Sequence, residues 1–148
     1  MNSIAHEITG DRIIDPMIDL SACAKTDRIL IAGSKALEFV LEMQRRGFDR
    51  TAASANCGRA SNQYDVAMVD WRRRTNHSLD PTLKWLLGYL RPAGKLVVWV
   101  DAQKQIANEN LRAMLERRGF AVEAGTVHDC GCGISARLLA TPPLKKAA

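Results

Sequence analysis

Between Arg28 and Lys35 the chain reads Arg-Ile-Leu-Ile-Ala-Gly-Ser-Lys. Four apolar residues follow one another without alternation, which fits a strand covered on both faces, as in a parallel sheet. Gly33 then allows a sharp turn, and Ser34 is placed to cap a following helix by accepting from its free amides. A strand, a tight turn and a helix start, in that order, is where doubly wound α/β folds bind an anion or a nucleotide. The segment therefore sets both the expected fold class and the place to look for a site.

Helical and strand patterns alternate along the rest of the chain. Asp15-Pro16 joins a capping residue to a proline suited to a first turn. Ile14, Met17, Ile18 and Ser21 then share one face at helical spacing, on a helix expected to pack on the sheet edge or to roof the site. Lys35 to Arg46 is helical, with Ala36, Leu37, Val40, Leu41 and Met43 as its apolar face, and Gly47 stops it. Arg50 to Ser54 is a short strand, and Asn56 to Gln63 is a turn-rich loop. Tyr64 to Asp70 is a second buried strand, ending in Asp70-Trp71 and the run Arg72, Arg73, Arg74. Asp80-Pro81 repeats the cap-and-proline signal before a helix with Leu83, Leu86, Leu87 and Leu90 on one face, which Arg91-Pro92-Ala93-Gly94 breaks. Lys95 to Val100 is a third buried strand, and a helix from about Gln103 to Arg118 carries Ile106, Leu111, Met114 and Leu115. Phe120 to Val127 and Ile134 to Ala140 form a strand pair joined by His128 to Gly133, too short a link for a crossover helix, so the last strand is antiparallel. The alternation implies right-handed crossovers and a doubly wound, mostly parallel sheet of about six strands with a C-terminal antiparallel pair.

A chain of 148 residues suggests one α/β domain, placed at 11–140, with a flexible N-terminus at 1–10 and a flexible basic tail at 141–148. No apolar run approaches the ~20 residues of a membrane span, and Met1 to Gly10 lacks the apolar core of a signal peptide. Cys23, Cys57, Cys130 and Cys132 are too few and too irregular for a disulfide framework, so reduced thiols and a cytoplasmic location are expected. The net charge of +5 favours anionic partners weakly. The arginine run has no interleaved aromatics, so a nucleic-acid track is not expected.

Taken in order, these pieces resemble the class I S-adenosylmethionine-dependent methyltransferases from about Pro16 to Ala140. The matching parts are the leading helix, Arg28-Ile-Leu-Ile-Ala-Gly33, Tyr64-Asp-Val-Ala-Met-Val-Asp70, Leu90-Arg-Pro-Ala-Gly-Lys-Leu-Val-Val98, Leu111-Arg-Ala-Met-Leu-Glu-Arg-Arg-Gly-Phe120 and the closing strand pair. The resemblance implies a Rossmann-like methyltransferase fold and S-adenosylmethionine as cofactor. The family's first motif, an acidic residue, a spacer and three glycines at alternate positions, falls on Ile31 and on Gly33, Lys35 and Leu37. One glycine survives, and Lys35 and Leu37 are placed to fill the space the others would leave. The acidic residue that ends the family's second strand and holds the ribose falls near Ser54 to Asn56, where Asn56 can bond a ribose without charge assistance. Only about 30 residues separate Gly33 from Tyr64. One strand-helix unit is therefore expected to be missing, and Arg50 to Ser54 becomes an edge that admits a strand-paired homodimer.

Each candidate site has a bland counterpart. Gly33, Ser34 and Lys35 can form an anion or cofactor site, or only a capped helix start. Asp70 can orient a substrate amine or a cofactor group and Trp71 can stack on a planar ring, or they are a capping carboxylate and a buried indole. Arg72, Arg73 and Arg74 can bind phosphate or carboxylate, or remain solvated. His128, Cys130 and Cys132 are enough for three zinc ligands, but the glycines between them read as a turn, and no metal is expected. No catalytic residue can be named, because methyl transfer depends on aligning a nucleophile with the sulfonium methyl. Two functions stand: a small methyltransferase-like protein that binds S-adenosylmethionine and a small-molecule substrate, and a non-catalytic nucleotide-, anion- or partner-binding module on the same fold.

Overall fold

The computed structural model describes residues 11–139, so the expected flexible ends at 1–10 and 141–148 lie outside the described residues. In chain order the elements are α1 (Asp11–Ser21), β1 (Ile29–Gly33), α2 (Ala36–Arg45), β2 (Thr51–Ala53), a 3-10 turn (Ser54–Asn56) and β3 (Tyr64–Asp70). They continue as α3 (Asn76–Leu86), β4 (Leu90–Val100), α4 (Gln105–Arg117), β5 (Phe120–His128) and β6 (Gly131–Leu138). The strands expected from unbroken apolar runs all form, because each buries side chains on both faces. The sheet order is β2-β1-β3-β4-β6-β5. The first four strands are parallel, and β6 runs antiparallel to both β4 and β5.

Alternate residues of the central strands feed two separate cores. Ile29, Ile31, Val66, Met68, Val97 and Trp99 face one way, under Ile13, Ile14 and Met17 of α1 and Phe39, Val40 and Met43 of α2. Leu30, Ala67, Val69, Leu96 and Val98 face the other way, under Leu79, Leu83 and Leu86 of α3 and Leu111 and Leu115 of α4. Winding reverses between β1 and β3, since β2 lies on one side of β1 and the later strands lie on the other. A crevice opens at the carboxyl ends of the strands at such a point.

Several boundaries differ from expectation for physical reasons. Both prolines sit inside helices rather than at their starts. Each forgoes one internal hydrogen bond. Thr75 caps α3 through its hydroxyl, which accepts from the Ser78 amide at 3.2 Å. Asp80 instead pairs with Arg118 at 2.8 and 3.0 Å, which ties α3 to the end of α4. Leu90 belongs to β4, opposite Tyr64; the register then jumps to Val66 and Lys95, so 91–94 bulge outward instead of preceding the strand. β5 and β6 run further into their connection than the sequence suggested, which leaves Asp129-Cys130 as the turn.

β2 is an edge, as the missing unit required. Leu37 and Leu41, expected in the apolar face of α2, are 59% and 56% exposed. They share a helix stripe with Gln44, whose side-chain amide donates to the Thr51 carbonyl of β2 at 3.3 Å. That stripe borders the open edge where a further strand-helix unit would pack. Among the described residues, no helix is long and apolar enough to cross a membrane.

Candidate functional site

The ends of β1 and β3 approach so closely that no side chain fits between them. Gly33 has φ +97°, and a Cβ there would overlap the Asp70 carbonyl oxygen and lie 2.9 Å from its carbon. The Ser34 amide donates to the same oxygen at 2.9 Å. Lys35 follows in the left-handed region (φ 53°, ψ 38°) and occupies the capping position of α2 without a side-chain bond. Ser34 therefore does not cap the helix; its hydroxyl accepts from Arg74 Nε at 3.3 Å.

Two clefts open on this edge, and Arg74 lines both. The first, of about 500 Å³, is lined by Ser34, Lys35, Asp70 and Arg72 to Arg74 and by Asp101, Ala102, Asp129 and Cys130. The second, of about 480 Å³, lies over Ala32, Gly33, Ser54 and Ala55 and is walled by Trp71, Pro81, Thr82 and Trp85. Of the 3-10 turn it is Ser54 and Ala55 that line this cleft, while Asn56 is exposed.

Asp70 is buried, and the Arg72 guanidinium seals it with two bonds of 2.9 Å, one to each carboxylate oxygen. That pairing holds Arg72 above its ordinary pKa, with burial pulling the other way. Asp70 and Arg72 are thus paired with each other at the rim of the first cleft. Trp71 is also buried. Its indole N–H donates to the Thr75 carbonyl at 2.9 Å and to the Ser78 hydroxyl at 3.2 Å. The Arg74 guanidinium lies 4.6 Å from the Trp71 ring centroid, a cation–π arrangement. Arg73 has φ +65°, its amide donates to Asp101 Oδ2 at 2.6 Å, and its side chain is exposed at the first cleft.

The closing turn does not gather its thiols and imidazole for a ligand. His128 lies against Trp99, with centroids 5.5 Å apart, Cys132 is buried, and the Cys130 carbonyl accepts from Trp99 Nε1 at 3.1 Å. Among the described residues, no group of three or more His, Cys, Asp or Glu is placed to hold a metal ion. Sequence reasoning missed Asp101 and Trp85. Asp101 follows the last residue of β4, so the strand-end rule that singled out Asp70 points to it as well. Trp85 carried no signal apart from lying between core leucines on α3.

No protein-family model matches the chain, and no curated protein sequence does either. Solved structures do match. The ribosomal protein L11 methylase of Lactobacillus delbrueckii subsp. bulgaricus aligns with 86% of this chain and 78% of its own, at 11% identity and a TM-score of 0.64. The 1,6-didemethyltoxoflavin-N1-methyltransferase of Burkholderia thailandensis, solved with 1,6-didemethyltoxoflavin and S-adenosylhomocysteine bound, covers 93% and 81%, at 13% identity and a TM-score of 0.61. A SAM-dependent methyltransferase of Aquifex aeolicus covers 93% and 98%, again at 13% identity and a TM-score of 0.61. At these identities the likeness is one of fold, and the fold is that of the class I S-adenosylmethionine-dependent methyltransferases.

Proposed function

We propose that this chain of methyltransferase fold binds S-adenosylmethionine in the second cleft and acts as a small methyltransferase. The observation that carries this is the chemistry of that cleft at the β1–β3 reversal. Its floor is made of small residues, Ala32, Gly33 and Ala55, its walls hold the indoles of Trp71 and Trp85, and Ser54 and Thr82 supply hydroxyls. Small floor, aromatic wall and hydroxyls suit a purine nucleoside, whose ring stacks and whose ribose hydrogen-bonds. Lys35 and Leu37, which stand where the family carries glycines, do not fill the space: both are exposed, and Lys35 lines the first cleft instead. That a Burkholderia protein of this fold was solved with S-adenosylhomocysteine bound supports the choice of ligand.

When bound, S-adenosylmethionine supplies an electrophilic methyl group. The chain's own part is to hold and align. Trp71 is pinned by its indole bonds, Arg74 is pinned across Trp71, and the Asp70–Arg72 pair fixes the turn that leaves β3. Rate then comes from orientation rather than from a named base. The alternative, a non-catalytic anion- or nucleotide-binding module, draws on Arg74, which already lies over the Trp71 ring.

Calorimetry with S-adenosylhomocysteine is expected to give micromolar binding. Trp85→Ala should weaken it roughly tenfold, since base–aromatic stacking contributes about 1–3 kcal/mol. Absence of heat at millimolar ligand removes the cofactor. For the assembly, we propose a homodimer that pairs the open β2 edge beside Leu37 and Leu41. Light scattering should show a dimer that Leu41→Lys converts to monomer, and a wild-type monomer removes that idea.

A further inference from the structure

We propose that the first cleft is an anion site for a second ligand, in which Lys35, Arg73 and Arg74 receive a carboxylate or phosphate group. That this ligand is the methyl acceptor rests on the function proposed above; the anion site itself does not. Four cationic side chains line the cleft, and the geometry divides them. Arg72 is committed to Asp70 through both carboxylate oxygens. Among the described residues, Lys35, Arg73 and Arg74 have no ion-pair partner.

Arg74 is already oriented. Its Nε donates to Ser34 and its plane lies over Trp71, so its fork loses little freedom on binding. Lys35 and Arg73 both occupy left-handed backbone positions that residues other than glycine rarely adopt. The Arg73 position is fixed by Asp101, whose Oδ2 accepts the Arg73 amide. Asp101 and Asp129 line the same cleft. An anion entering the cleft is drawn to the three cations that no carboxylate pairs among the described residues. Guanidinium groups match carboxylate and phosphate oxygens with paired N–H donors, and the lysine adds a point charge.

The probes are phenyl phosphate and benzoate, titrated into the full chain with and without saturating S-adenosylhomocysteine, with binding read by calorimetry. At least one is expected to bind, and the tighter of the two reports whether the site prefers phosphate or carboxylate. Lys35→Ala/Arg73→Ala should weaken that binding at least tenfold while the S-adenosylhomocysteine affinity changes less than threefold. Arg73→Lys, which keeps the charge and removes the fork, should fall between. Unchanged anion affinity in the double variant overturns the proposal. So does displacement of the anion by S-adenosylhomocysteine, because the cations would then hold that ligand's own carboxylate. Anion binding that responds to the variants in a chain without S-adenosylhomocysteine affinity upholds the anion site and overturns only the cofactor.

Discussion

Gly33→Ala is expected to destabilise the chain by about 4 kcal/mol or more, most of the stability a domain of this size holds in the lower part of the usual range. Two causes add. The residue has φ +97°, where an L side chain is strained, and its Cβ would overlap the Asp70 carbonyl oxygen, a backbone atom that cannot swing aside. The strain alone costs about 1 kcal/mol. The overlap forces β1 and β3 apart at the reversal and breaks the bond from the Ser34 amide to the same oxygen, so the larger share comes from there. Gly58→Ala separates the two causes, because Gly58 has φ +78° with open space around its missing Cβ. Thermal melts followed by circular dichroism should show a drop of roughly 10–15 °C or loss of folding for Gly33→Ala, against a few degrees for Gly58→Ala. Equal melting of the two variants would mean that the strand ends are not in the contact described. The one glycine left from the family pattern is thus required by closure of the sheet whether or not a ligand binds beside it. Binding must be judged from the clefts.

How far the sequence could be read depended on whether a signal was local. Strands buried on both faces, such as 64–70, need only an unbroken apolar run, and the short span between Gly33 and Tyr64 was enough to count a missing unit. The two Asp-Pro pairs misled because capping is only one use of aspartate. Asp80 is taken by Arg118, 38 residues further on, which no local pattern reveals. Leu37 and Leu41 fit the helix period, yet they are exposed because the unit that would cover them is absent from the sheet. Position along a strand put Asp70, Trp71 and the arginines at the carboxyl edge of the sheet, where β3 ends. It could not tell which of them were occupied with one another, since that depends on how the chain turns after β3. Asn56 was chosen for its chemistry, and the 3-10 turn carries it away from the cleft that Ser54 and Ala55 line.

Arg72→Ala is expected to cost about 2–4 kcal/mol, or roughly 5–15 °C in melting temperature, although it removes a side chain from a loop. Asp70 is 3% exposed and receives both of its strong bonds from that one guanidinium. Without it the carboxylate is left buried and charged, with only the 3.3 Å bond from the backbone amide of residue 72. The expected cost is below that of a fully enclosed pair because the Arg72 side chain is a quarter exposed and water can reach the gap. Asp70→Asn/Arg72→Met removes both charges together and should recover more than half of the loss, since matched apolar and neutral groups often replace a buried pair at little cost. A double-mutant cycle built from Asp70→Asn, Arg72→Met and the two together therefore gives a coupling of at least 1 kcal/mol on unfolding free energies. Coupling near zero would mean that the two side chains do not depend on each other and that Asp70 is open to a ligand after all. The same variants bear on the site. If Asp70 only fixes the turn that leaves β3, the folded double variant keeps its affinity for S-adenosylhomocysteine. If Asp70 contacts the ligand, affinity falls even where stability has been restored, because the restored packing supplies no carboxylate. Stability and binding measured on one set of proteins thus separate a carboxylate that shapes the floor of the site from one that touches what the site holds.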